Sequence, residues 1–331
     1  RGVENAELRK KGFADAVTAG TQIKIIASET ANWHKDEAFS AMTRILQKNK
    51  DIKAVLCAND TMAIGAIQAL EMAGLAGRVW VGAYDNIEEA RLEMRNKRIH
   101  ATIEQHPELM GEYGVRLAAD ALTGKTVADY TPTPLDLITY ESFDKTIGFS
   151  VSTLANPFFD LLCKGAKKEA DMYGIKLVVA DAGNDDAKQM LDIQKFVQDK
   201  VNLIIVNPTN VETVLPALEL AKAGGIKVIS VDRKVSEEDL VISHIASDNL
   251  LGGKLAAEFI AKKLNGKGKI LELEGIPGTS AAHDRGKGFN DAIGKFPEIK
   301  VAAREMAGFD RAKAKDAVKQ LIAKNAEFDA V

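Results

Sequence analysis

Residues 9–55 recur as residues 285–331. Arg9-Lys-Lys-Gly-Phe13 matches Arg285-Gly-Lys-Gly-Phe289, and a shift of 276 positions then holds without a gap to Val331. Asp15-Ala16 pairs with Asp291-Ala292, Ile23-Lys24 with Ile299-Lys300, Trp33 with Phe309, Lys48-Asn49 with Lys324-Asn325, and Ala54-Val55 with Ala330-Val331. In all, 17 of the 47 positions are identical. Chance likeness between two strand–helix units would not keep one register for so long. The period is far longer than the ~20–50 residues of a solenoid repeat and is about the size of one whole two-lobed protein.

Around the two copies, short apolar β-branched runs alternate with helix-length segments. Helix 5–20 is followed by strand Ile23–Ala27, helix 34–48, strand Ala54–Cys57 and helix 62–73, which Asn59-Asp60-Thr61 opens and Gly74 closes. Strand Val79–Ala83, helix 87–95, strand Ala101–Ile103 and helix 107–123 come next. Thr126–Glu141 reads as extended, with Pro132 and Pro134 suited to an edge or a crossing. From Lys145 the alternation restarts. Strands are expected near 147–151, 175–180, 202–206, 227–231, 269–274 and 299–303. The helices between them fall at 158–173, 187–199, 211–223, 250–264, 283–295 and 311–324. Strict alternation of strand and helix makes an α/β protein with doubly wound parallel sheets.

Bulk properties exclude several function classes. With 331 residues, two domains or lobes are the default. The net charge is −3 and basic residues are scattered, so no nucleic-acid surface is expected. No apolar run approaches the ~18 residues of a membrane span. Cys57 and Cys163 are isolated and read as buried, inert thiols. His34, His100, His106, His244 and His283 lack metal-ligand spacing. No Gly-x-Gly-x-x-Gly follows the first strand, and there is no phosphate loop or nucleophile elbow. Gly266-Lys-Gly-Lys-Ile270 leads into a strand and reads as a turn. An enzyme is therefore not expected, nor is any cofactor or metal.

The motifs Thr146–Phe159, Val228-Ile-Ser-Val-Asp-Arg233, Ser243-His-Ile-Ala-Ser-Asp-Asn249 and Gly278-Thr-Ser-Ala-Ala-His-Asp-Arg-Gly-Lys-Gly-Phe289 are specific in combination. They resemble the first two-thirds of the ribose-binding type of periplasmic sugar-binding proteins, which feed ABC importers. Ala58-Asn-Asp-Thr-Met-Ala63, Gly82-Ala-Tyr-Asp85 and Ala101-Thr-Ile-Glu-Gln105 are similar to the last half of the same family. The resemblance implies a two-lobed periplasmic-binding-protein fold, each lobe a doubly wound parallel sheet with helices on both faces. Its order is unusual: residues 1–144 match the carboxyl half of one unit, and 145–331 the amino two-thirds of another. This arrangement is expected of two consecutive repeats cut at both ends, since a circular permutant would not need the duplicated stretch. One lobe would combine 145–247 with 106–134, the other 1–105 with 248–331, with crossings near Gln105, Pro134 and Asp248. Implied are a monosaccharide ligand, most simply ribose, a membrane permease of an ABC importer as partner, an extracytoplasmic or periplasmic location, and a monomer. The alternative is the sugar-sensing core of a transcriptional repressor. It calls for a basic helix-turn-helix ahead of the core, and the seam Tyr140-Glu-Ser-Phe-Asp-Lys145 leaves no room for one.

A sugar offers hydroxyls that donate and accept, and flat faces of C–H groups, so its site pairs charged or amide side chains with aromatic walls. By resemblance, Ser152, Asn156, Asp232, Arg233 and Arg285 stand at hydrogen-bonding positions, and Phe158 and Phe159 at wall positions. In the first part Arg9, Asn59, Asp85 and Gln105 match polar contacts, and Trp33 and Tyr84 aromatic ones. Chain direction agrees for several of them: Asp232 and Arg233, Asn59 and Asp85 each follow a strand at its carboxyl end. Each also has a plainer role open to it, as a helix cap, a solvated pair or core packing. One two-lobed unit has a place for only one copy of the repeat. A chain break costs less in the loop before Arg9 than inside a strand after Val331. The expectation is that 9–55 occupies the sheet, with Arg9 and Trp33 in the cleft, while the tail from about Gly286 is surplus or loosely docked.

Overall fold

The computed structural model describes residues 4–19, 22–49, 51–324 and 327–331. These divide into two compact units. Unit 1 holds residues up to Asp144 together with Ala170–Ile175, and unit 2 holds Lys145–Glu169 and Lys176–Val331.

Unit 1 begins with α1 (Glu4–Thr18), which buries no residue, and α2 (Lys35–Lys48). Then follow β1 (Ala54–Leu56), α3 (Asp60–Met72), β2 (Trp80–Gly82), α4 (Glu88–Arg95), β3 (Ala101–Glu104), α5 (Pro107–Leu122) and β4 (Asp136–Thr139). The sheet runs β1-β2-β3-β4, parallel except for β4, which lies antiparallel on β3. Alternation along each strand sends Val55, Val81, Thr102 and Ile138 to the helix-covered face and leaves Leu56, Trp80 and Leu137 outside. The core packs Leu70, Val79, Met94, Ile99 and Ile138 beneath α2, α3 and α4. Gly65 allows α3 to meet α2, since a Cβ there would stand 2.1 Å from the Lys35 carbonyl oxygen. α5 buries no residue.

Unit 2 opens with β5 (Thr146–Val151), α6 (Pro157–Met172), β6 (Lys176–Asp181), α7 (Asp186–Gln198), β7 (Leu203–Val206), α8 (Leu215–Ala223), β8 (Lys227–Val231) and β9 (Ser243–Ile245). Its five-stranded sheet runs β6-β5-β7-β8-β9, all parallel. This is a doubly wound order, whose ligand crevice lies beyond the carboxyl ends of the strands. Phe149, Val151, Ile204, Val206 and Val228 fill its core. Residues 246–248 then cross to α9 (Asn249–Lys263), β10 (Lys267–Glu274), α10 (Ser280–Ile293), β11 (Glu298–Met306) and α11 (Arg311–Ala323). β10 and β11 pair in parallel, and Ala330 bridges to the other side of β10 at Ile270.

Three expectations change, and one strand appears that was not expected. Ile23–Ala27 forms no strand, although its repeat Ile299–Ala303 lies within β11. A strand exists only through its ladder: β11 has β10 beside it, and the first copy has no such neighbour among the described residues. The tail after Gly286 is not surplus, because α10 buries Gly288, Ala292 and Ile293 and β11 pairs along β10. Each unit thus keeps its own copy of the repeat. The helix expected from Val211 starts only at Leu215, where Pro216 suits the first turn. β9, three residues long, had no sequence signal of its own. The expected end of α1 at Gly20 falls outside the described residues.

Candidate binding clusters

In unit 1 the expected residues gather around one guanidinium. Arg9 reaches in from α1, donating to the Ala58 carbonyl (2.6 Å) and to Gln105 Oε1 (3.0 Å), and lies 3.6 Å from Asp85 Oδ1. Its plane stands 3.8 Å from the centre of the Tyr84 ring and 5.6 Å from that of Trp33. Gln105 Nε2 donates to Asp85 at 2.5 Å. Three strand ends supply this cluster: Ala58 follows β1, Tyr84 and Asp85 follow β2, and Gln105 follows β3. Trp33 (φ 69°) and Asp85 (φ 113°) hold left-handed backbone, a conformation that non-glycine residues keep only when their surroundings impose it. Burial pushes the Asp85 carboxyl up from its ordinary pKa, and Arg9 and Gln105 pull against that shift. Asn59 lies beside the cluster but spends its carbonyl oxygen capping α3, accepting from Met62 N–H at 2.9 Å.

In unit 2 the carboxyl ends of β5, β7 and β8 converge. Ser152 is fully buried, and both its N–H (3.1 Å) and its Oγ (2.5 Å) donate to Asn207 Oδ1. Asn207 Nδ2 in turn donates to the Val231 carbonyl (3.1 Å) and towards Asp232 Oδ2 (3.4 Å). Arg233 is buried, donates to the Pro208 carbonyl (2.9 Å) and stands 5.3 Å from the centre of the Phe159 ring. Phe159 is buried and Phe158 half exposed, edge to face at 5.3 Å. Asn156 accepts from Phe158 N–H at 3.0 Å and so sets the entry to α6. Asp232 (φ 61°) is held by its N–H on the Ile245 carbonyl. Burial raises its carboxyl pKa, opposed by Arg233 and then Arg285.

Arg285 comes from α10 across this crevice. Its Nε donates to Asn249 Oδ1 at 2.7 Å, and its plane stands 5.9 Å from the Phe309 ring. This repeats the Arg9–Trp33 pair, with Phe309 also left-handed (φ 58°). Two hydrogen bonds from backbone N–H groups close the crevice, Lys234 N–H donating to the Ser280 side-chain Oγ (2.9 Å) and Val211 N–H to the Gly278 carbonyl (3.3 Å). A cavity of about 280 Å³ remains, lined by Asp232, Lys234, His244, Asn249, Ser280 and Asp284 among others.

The thirteen expected residues therefore fall into two clusters, one in each unit. Missed by the sequence reading were Asn207, Asn249 and Gln189, which ties Ser150 Oγ to the Asn207 carbonyl. Asn207 follows an apolar strand directly, the same signal that singled out Asp232. Among the described residues no cluster of metal-ligating side chains exists, and no helix is long and apolar enough to cross a membrane.

Strand-end polar clusters faced by aromatic rings on doubly wound sheets define a class. The chain belongs to the periplasmic binding protein domain family, matching it over residues 1–126 and 147–331. Over 190 residues it is 44% identical to the ribose import binding protein of Haemophilus influenzae, covering 57% of this chain and 64% of that protein. It is 41% identical over 186 residues to the ribose import binding protein of Bacillus subtilis, covering 56% of this chain and 60% of that one. A solved ABC transporter solute binding protein from Bacillus halodurans, with bound myo-inositol, is similar at 29% identity and TM-score 0.55. That match covers 57% of this chain and 66% of the other. The chain thus spans under two-thirds of the length of these curated relatives. All three are named as binding proteins.

Proposed function

We propose that the chain is a non-enzymatic solute-binding protein that captures a monosaccharide, ribose first, at these clusters. It would work outside the cytoplasm and deliver the sugar to the membrane permease of an ABC importer. The observation that carries this reading is the duplicated pair of arginine and aromatic ring, Arg9 with Trp33 and Arg285 with Phe309. A guanidinium beside a carboxylate matches neighbouring sugar hydroxyls that donate and accept, and the ring matches a C–H face. Hydrogen bonds to charged groups contribute ~1.5–3 kcal/mol each, so a few of them with stacking reach micromolar affinity, about −8 kcal/mol. Within unit 2 the crossing at 246–248 is where a hinge would act.

Titration calorimetry against ribose, galactose, glucose and inositol tests this reading. Binding of ribose is expected, and no heat with any of the four would overturn it. Asp232→Asn should weaken binding at least about tenfold, roughly 1.4 kcal/mol, with the ligand-free melting point unchanged. An equal loss of ligand-free stability would assign Asp232 to scaffolding.

A further inference from the structure

Gln189 stands where an apolar residue belongs. α7 buries Gln189, Ile193 and Phe196, spaced i, i+4 and i+7 like the core stripe of a helix. Ile193 and Phe196 join the apolar core of unit 2, while the first of the three positions carries a fully buried amide. A primary amide has two N–H bonds to donate and one oxygen that accepts twice. All four are used. Nε2 donates to Ser150 Oγ at 3.1 Å and to the Asn207 carbonyl at 3.0 Å. Oε1 accepts from Thr209 N–H at 2.8 Å and from Thr209 Oγ1 at 3.1 Å. A saturated, buried amide has nothing left to offer a ligand, so its effect on a site must pass through what it holds.

Three of those four bonds hold one short segment, residues 207–209, just past the end of β7. Two separate paths lead from it to the charged pair after β8. The Asn207 side chain accepts from Ser152 N–H and Oγ, and its Nδ2 turns to the Val231 carbonyl and to Asp232. The carbonyls of Pro208 and Thr209 accept from one Arg233 Nη, at 2.9 and 3.4 Å. Arg233 is buried and its Nε stands 3.9 Å from Asp232 Oδ2, so these carbonyls, rather than a close ion pair, accept its hydrogen bonds. A buried polar network keeps one arrangement only while every member is satisfied. Without Gln189, the N–H of Thr209 and the carbonyl of Asn207 lose the partner that sets how the segment faces β8.

We infer that Gln189 is the positioning residue of the unit 2 cluster. By fixing residues 207–209 it sets the orientation of Asp232 and Arg233, and with it the affinity of that cluster for sugar. The effect on affinity rests on the proposed sugar binding; the hold on Arg233 does not.

Gln189→Met in the full chain keeps the side-chain length and removes all four hydrogen bonds. Ribose titration should show affinity weakened at least about tenfold. In the sugar-free protein, the Arg233 side-chain N–H signals, read by NMR, should lose their protection from solvent exchange. Ser150→Ala deletes the one bond that does not hold the segment, and should lower stability while leaving affinity and the Arg233 signals unchanged. Should Gln189→Met fail to fold, Thr209→Val removes the hydroxyl from the same contact, with at least about a threefold loss of affinity and less protected Arg233 signals expected. Arg233 signals that stay unchanged in the folded variant, or equal losses in Ser150→Ala, overturn the proposal. An unsubstituted chain that binds none of the four sugars overturns the proposed function instead, and the Arg233 signals then decide the positioning role alone.

Discussion

Asp60 sits one residue from the candidate cluster of unit 1 and has a different task. It is fully buried, Oδ1 accepting from the Thr102 hydroxyl (2.7 Å) and Oδ2 from Ile87 N–H (2.8 Å), so it ties three strand ends together. Burial raises its pKa to about 6, while those two hydrogen bonds pull downwards. The folded state therefore holds the proton more tightly than the unfolded chain. The resulting stability is fully present below about pH 4 and is lost as pH rises through 6. Two pKa units correspond to roughly 3 kcal/mol at most. Between pH 4 and 7 the melting point of unit 1 should fall relative to that of Asp60→Asn. Parallel pH profiles for the two proteins would refute the assignment. The neighbouring Asn59 shows the limit of reading residues singly. Its place after an apolar strand marked it for the site, and the same place lets it cap α3. Position along the chain gives the address of a polar side chain, and only the folded surroundings decide which of its atoms remain free.

At the scale of elements, α9 contrasts two adjacent glycines. A Cβ on Gly253 would stand 2.1 Å from the Arg285 carbonyl oxygen of α10, whereas one on Gly252 meets nothing within 4 Å. Gly252→Ala should stabilise unit 2 by ~0.5–1 kcal/mol through the backbone entropy of the unfolded chain. Gly253→Ala should destabilise it by ~1–3 kcal/mol, because two helix backbones must part. Denaturant titration reads both. Most elements were legible because their cause is local: Gly74 ends α3 in left-handed geometry, and apolar runs such as Ile147–Val151 mark buried strands. Ile23–Ala27 shows where legibility stops. Its residues equal or resemble those of Ile299–Ala303, yet only the latter make a strand, since the deciding partner, β10, is distant in sequence from the first copy. The same non-local pairing explains β9, which is too short to announce itself, and the integrated tail.

The whole molecule holds two units with separate cores. Differential scanning calorimetry should therefore resolve two transitions, with Gly253→Ala moving one and Asp60→Asn the other. A single transition shifted by both variants would contradict the division. The repeat made the size of the building block legible, but not which copy each sheet would use. Duplication also has a chemical consequence at Ile23-Lys-Ile-Ile26. In its repeat a strand ladder and a helix layer quiet this run. In the first copy Ile23, Ile25 and Ile26 belong to no strand and are more than half exposed. A short, exposed β-branched segment with one charge is a nucleus for cross-β aggregation. On storage or heating, amyloid-like material would begin here, in a stretch whose twin is kept soluble by a single neighbouring strand.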